Sequence, residues 1–126
     1  MAKDVELKAM KLVMNYEKRK GGNPKDVCKD KRYPCDIISR GRYIEVKGKS
    51  LLKPPQFLVL YKTTLKKLGN NVRKYWIYVV YDINRKPKLR MIPSSKILGN
   101  LEIDARFVLP GKVIRSKEIE EVSLTN

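Results

Sequence analysis

Apolar residues recur at helical spacing at the start of the chain, where Val5, Ala9, Leu12 and Tyr16 form one stripe. The spacing predicts an amphipathic helix over residues 2–20, closed by Gly21-Gly22. Asp4 and Glu6 sit in its first turn and Lys18, Arg19 and Lys20 in its last, each sign matching the helix dipole. Glu6 lies beside the stripe, in line with Met10, Val13 and Glu17, and Glu17 reads as a surface partner for nearby lysines. The period then shortens. Residues 35–39 and 42–48 are β-rich and flank Arg40-Gly41, a two-residue connection whose glycine supplies the positive φ of a hairpin turn. After Pro54-Pro55 the run Phe57-Leu58-Val59-Leu60 predicts a strand within 56–61. Thr63 or Thr64 can cap a helix through about Leu68. Residues 75–81 form an unbroken apolar and aromatic run, the composition of a central strand covered on both faces. Its aromatics read as core rather than as base-stacking groups. Residues 88–92 predict a further strand; beyond Pro93 come an irregular connection, a strand over 105–109 and a tail carrying Glu118, Glu120 and Glu121. The order α-β-β-β-α-β predicts an α/β fold, a mixed β-sheet flanked by helices. The 126 residues make one domain, with a core over about 2–93 and a C-terminal extension over 94–126.

The hairpin fixes a register. With Ser39 opposite Arg42, Ile38 faces Tyr43, Ile37 faces Ile44, and Asp36 faces Glu45. Strand alternation puts Lys47 on the face of Glu45, while Ile44 and Val46 take the other. Asp36, Glu45 and Lys47 thus converge. Two carboxylates directly opposed, with Cβ atoms about 4.5–5.5 Å apart, repel each other. A hard divalent cation, Mg²⁺ or Mn²⁺, would offset that repulsion, and a neighbouring lysine can orient its bound water. The competing reading is an ordinary solvated face. Ile44 and Val46, which mark a buried strand, and Pro34 at the strand start weigh against it.

Charge narrows the partner. Lys and Arg number 29 against 13 Asp and Glu, a net charge of +16, which predicts a polyanion and, among polyanions, nucleic acid. Lys25, Lys29, Lys31 and Arg32 crowd the approach to the hairpin, Arg42 opens its second strand, and Lys49 and Lys53 continue the basic border beyond it. The chain has no histidine and only two cysteines, Cys28 and Cys35, so a Cys/His zinc site and any histidine-based triad are excluded. No apolar run spans a membrane and no secretory pattern opens the chain, so the expected location is cytoplasmic, where both thiols would by default stay reduced.

The spacing Pro34-x-Asp36, then Glu45-x-Lys47, resembles the PD-(D/E)XK nuclease signature. The wider chain resembles the NO VEIN C-terminal domain family. The matching residues are Val5-Glu6, Ala9-Met10, Val13 and Glu17 in the first helix, Asp36-Ile37, Ile44-Glu45-Val46-Lys47-Gly48, Tyr75-Trp76-Ile77-Tyr78-Val79-Val80, and Pro87-Lys88-Leu89-Arg90-Met91-Ile92-Pro93. It departs at Pro34-Cys35, where that family usually has Gly-Tyr, and at Tyr61-Lys62-Thr63-Thr64, where it has a Thr-x-x-Glu-like helix start. The resemblance implies a restriction-endonuclease-like fold and a metal-dependent nuclease acting on nucleic acid, DNA before RNA. Asp36 and Glu45 would bind the metal and Lys47 would serve the attacking water. Archaeal Holliday-junction resolvases bring a first-helix glutamate to the metal, which implies Glu6 as a third ligand, and a polar residue on the following strand implies Gln56 near the metal or its water. Junction cutters often pair, so a homodimer fits this reading. The alternative is a nucleic-acid-binding module that keeps the fold without the chemistry.

Overall fold

The computed structural model describes residues 2–103 and 107–125. The first helix, α1 (Ala2–Arg19), is followed by a two-residue strand β1 (Lys25–Asp26) and by the hairpin strands β2 (Ile37–Ser39) and β3 (Arg42–Gly48). Then come β4 (Phe57–Leu60), α2 (Lys62–Asn70), β5 (Tyr75–Tyr81) and β6 (Lys88–Pro93). The C-terminal part holds α3 (Ser94–Leu98), β7 (Glu102–Ile103), β8 (Phe107–Pro110), α4 (Gly111–Ile114) and β9 (Glu120–Ser123). Six strands form one sheet in the order β1-β2-β3-β5-β6-β9. Only β3 and β5 run parallel in it, joined through β4 and α2; the other neighbours are antiparallel.

This is the mixed, helix-flanked α/β sheet that the periodicities predict, with three local differences. Residues 57–60 do form a strand, but β4 pairs with β8 in a separate sheet of order β4-β8-β7. The helix after it starts at Lys62 with Tyr61 at the cap position and no side-chain cap, so Thr63 and Thr64 lie inside its first turn. The acidic tail supplies β9, an edge strand anchored where Arg90 donates to Glu121 at 2.9 Å. Of the strand expected over 105–109, residues 107–109 lie in β8, while Ala105 and Arg106 fall outside the described residues.

Strand alternation divides the core between the two faces of the six-stranded sheet. Ala9, Val13 and Tyr16 of α1 cover Ile37, Ile44, Tyr78 and Val80. On the other face Tyr75, Ile77, Val79 and Ile92 meet Leu58 and Leu60 of β4, Leu68 of α2, Ile97 of α3 and Leu109 of β8. Strand β5 is covered on both sides, so its aromatics Tyr75 and Tyr78 are fully buried core residues. Glu17 is a correction: it is not a surface group but 0% exposed, on the buried line of α1 that runs through Val13. No helix among the described residues is long and apolar enough to cross a membrane.

Candidate active site

The hairpin turn places positive φ at both central residues, Arg40 (50°) and Gly41 (73°), the pattern of a two-residue turn whose twist suits the strands it joins. The observed partners are Ser39 with Arg42, Ile38 with Tyr43, and Ile37 with Ile44. One residue further the ladder gives way to a side chain. The Asp36 amide donates to the Ile44 carbonyl at 3.0 Å and its carbonyl accepts from Val27 at 2.8 Å. Its carboxylate Oδ2 accepts the Val46 amide at 2.8 Å. Asp36 is therefore pinned to the strand segment that carries Glu45 and Lys47. Those two side chains share the sheet face of Ile77 and Val79, their register partners on β5, while Ile44 and Val46 face α1.

The electrostatics are strained on that face. Burial, and then the negative charge of Glu45, raise the Asp36 carboxyl to about 6 against the pull of the Val46 amide and Lys47. Lys47 Nζ lies 3.4 Å from Glu45 Oε2 and offsets part of that charge. Beneath them Tyr75 donates to the Pro34 carbonyl at 3.2 Å, tying the strand entrance to β5. Burial first, then the charge of Glu45, hold the Tyr75 phenol above its ordinary range.

Asp36, Glu45 and Lys47 open onto a cleft of about 910 Å³, which Glu6, Gln56, Lys3 and Lys49 also line. A second cleft of about 660 Å³, lined by Lys31, Arg32, Tyr43 and Lys67, shares Asp36, Glu45 and Cys28 with the first. The carboxylate pair sits where the two meet. Glu6 reaches the first cleft because α1 packs against the end of β3: a Cβ at Gly48 would stand 2.8 Å from Ala9 Cβ and 3.0 Å from the Val5 carbonyl. Among the described residues, no three His, Cys, Asp or Glu side chains are grouped closely enough to hold a metal ion. The donors nevertheless suit Mg²⁺ or Mn²⁺, since two oxygen ligands of like charge, both partly buried, leave the rest of the shell to water and phosphate.

The basic residues divide. Lys49, Lys31 and Arg32 line the clefts, and Arg32 is also tied to Asp30 by bonds of 3.0 and 2.8 Å. Lys25, Lys29 and Lys53 are exposed but line neither of these two clefts. Arg42 is on the opposite face, 3.8 Å from the Trp76 ring centroid and donating to the Tyr78 hydroxyl at 2.7 Å. Lys3 is a cleft residue that the sequence does not single out, and Lys67 of α2, which carries Lys62 and Lys66 as well, lines the second cleft. Both Cys28, exposed, and Cys35, buried, are free thiols.

The fold is similar to that of Archaeoglobus fulgidus Hjc, a Holliday junction resolvase from an archaeal hyperthermophile. The match has a TM-score of 0.58 and 17% identity and covers 83% of this chain and 86% of that one. That likeness establishes the fold, the one expected of the nuclease superfamily whose signature Asp36, Glu45 and Lys47 resemble. Residues 5–92 match the family described as Protein NO VEIN, C-terminal, and the chain belongs to that family. None of the curated proteins compared with it matches.

Proposed function

We propose that this protein is a divalent-metal-dependent nuclease that hydrolyses phosphodiester bonds in DNA. The observation that carries the reading is the Asp36–Glu45 pair, two like charges held together on a partly buried face with Lys47 beside them. An acid pair repels phosphate unless a cation intervenes, so a site meant only for binding gains nothing from it. Asp36 and Glu45 would hold Mg²⁺ or Mn²⁺, and Glu6 lines the same cleft. When bound, the ion supplies charge stabilisation at the scissile phosphate. Lys47 orients the attacking water, and Lys3, Lys49, Lys31 and Lys67 hold the phosphate backbone along the two clefts. DNA is preferred as the substrate because the similar fold is that of a Holliday junction resolvase.

The Glu45–Lys47 ion pair favours a second reading, a nucleic-acid-binding module whose acids are neutralised within the protein. Calorimetric titration of Mg²⁺ and Mn²⁺, followed by nicking of plasmid, single-stranded and branched DNA, separates the two. Asp36→Ala and Glu45→Ala are expected to lower cleavage at least about a hundredfold while leaving DNA binding intact or tighter. Full cutting by both variants, in protein free of contaminating nuclease, would end the catalytic reading. Tight, salt-sensitive DNA binding by the wild type without metal affinity would favour the module.

A further inference from the structure

The cleft beside the acid pair has an unusual lip. Eight large apolar side chains are exposed among the described residues, and four of them, Leu7, Leu51, Phe57 and Tyr61, line this cleft. Tyr61 is 67% and Phe57 46% exposed, and Leu52, next in the chain to Leu51, is 58% exposed. Such a concentration on a strongly charged protein marks a contact surface. Lys3, Lys47 and Lys49 line the same cleft, opposite in charge to its acids Glu6, Asp36 and Glu45, and Lys53 and Lys62 adjoin the apolar lip in sequence and add to its positive charge. A ligand complementary to this surface must offer phosphate-like charge and flat apolar area together.

Duplex DNA offers the first and hides the second, because its bases are stacked on one another. Unpaired nucleotides offer both. Aromatic side chains stack on bases without regard to sequence, and lysines track the backbone between them. We infer that the Phe57–Tyr61 lip binds unpaired bases next to the acid pair, so that the substrate is nucleic acid with a single-stranded segment at the scissile phosphate. This rests on the nuclease reading for its catalytic consequence, but the binding it requires is measured without cleavage.

The test is fluorescence anisotropy in EDTA, with labelled oligo-dT and a blunt duplex of equal length. Tyr61→Ala and Phe57→Ala should each weaken single-strand binding at least about tenfold and duplex binding by less than about twofold. Tyr61→Phe, which keeps the ring, should bind as the wild type does. Val72→Ala and Leu98→Ala, exposed apolar positions that line no part of this cleft, should change neither affinity. Equal losses on both ligands, or none, would overturn the inference while leaving the nuclease reading intact. So would a wild-type dimer that dissociates in Tyr61→Ala with single-strand affinity unchanged, since the lip would then cover a second copy. Displacement by polyglutamate as readily as by unlabelled oligo-dT would assign the lip to an acidic protein instead. A wild type that binds neither nucleic acid in EDTA would overturn the inference, while the nuclease reading is judged separately by cleavage with Mg²⁺ or Mn²⁺.

Discussion

Two carboxylates serve opposite faces of one hairpin, and they are treated in opposite ways. Glu17 is fully buried, accepts from Arg40 Nε and NH2 at 2.8 and 2.7 Å, and accepts the Tyr78 hydroxyl at 3.1 Å. Burial alone would raise it, but the Arg40 bonds, helped by Tyr78, hold it below its ordinary range. Asp36 is less buried and worse served, with one backbone amide on its oxygen and Glu45 as its charged neighbour, and it rises to about 6. A carboxylate whose work is structural is matched within the chain. At Asp36 the Val46 amide and Lys47 offset the mismatch only in part; the proposed nuclease reading assigns the remainder to a metal ion.

The largest test of that contrast is Arg40→Ala, which strands Glu17 as a buried, unpaired charge. A loss of about 3–5 kcal/mol in unfolding free energy is expected by denaturant titration at pH 7. Because the folded Glu17 value is lowered, its contribution is present at neutral pH and fades as pH falls below the ordinary carboxylate range. Arg40→Ala should flatten that acid limb. Asp36 has the reverse sign. From about pH 4 to about pH 6 the unfolded chain has released its proton while the folded chain still holds it, so stability falls as pH rises through this window. The ceiling is about 3 kcal/mol. Asp36→Asn keeps an oxygen for the Val46 amide, so it should stabilise the protein at pH 7 and do little at pH near 3.5; loss of stability at pH 7 would break the comparison. Added Mg²⁺ should oppose the wild-type loss, since the ion favours the ionised acid. Smallest is Gly48→Ala, whose new Cβ meets Ala9 and the Val5 carbonyl; a cost of about 1–3 kcal/mol is expected. Glu17 lies at the far end of α1 from that contact, so the acid limb should survive in this variant.

The hairpin was legible because everything it needs is local. Gly41 marks the turn, and the alternation of Ile37, Ile44 and Val46 fixes which side chains face each other. The expected pairing of Asp36 with Glu45 did not follow: the ladder ends at Ile37 and Ile44, and the Asp36 amide donates to the Ile44 carbonyl while its carboxylate takes the Val46 amide. Glu17 was misread although the signal was present: Val13 and Glu17 are four residues apart on one helical line, and that line is the buried one. Its partners Arg40 and Tyr78 are 23 and 61 residues away, and no helical spacing points to them. The same holds for β4, an apolar run whose sheet is decided by β8, about fifty residues later. Strand β9 is charged because it is an edge, where polar side chains protect the open side, and such a segment reads as tail.

The parallel pairing of β3 with β5 has a consequence for when the site comes into being. A hairpin such as β2–β3 closes in about 1–10 μs, but Glu45 meets its neighbour Ile77 only after β4 and α2 have been threaded between them. On the ribosome, both acids emerge well before the strand that walls them off from water, and domains acquire their packing as the chain lengthens. A nascent chain ending before Tyr75 carries the signature residues yet lacks the low-dielectric floor that perturbs Asp36. If the proposed nuclease chemistry holds, it is thus expected to be silent while the chain is being made and to be armed by the arrival of β5.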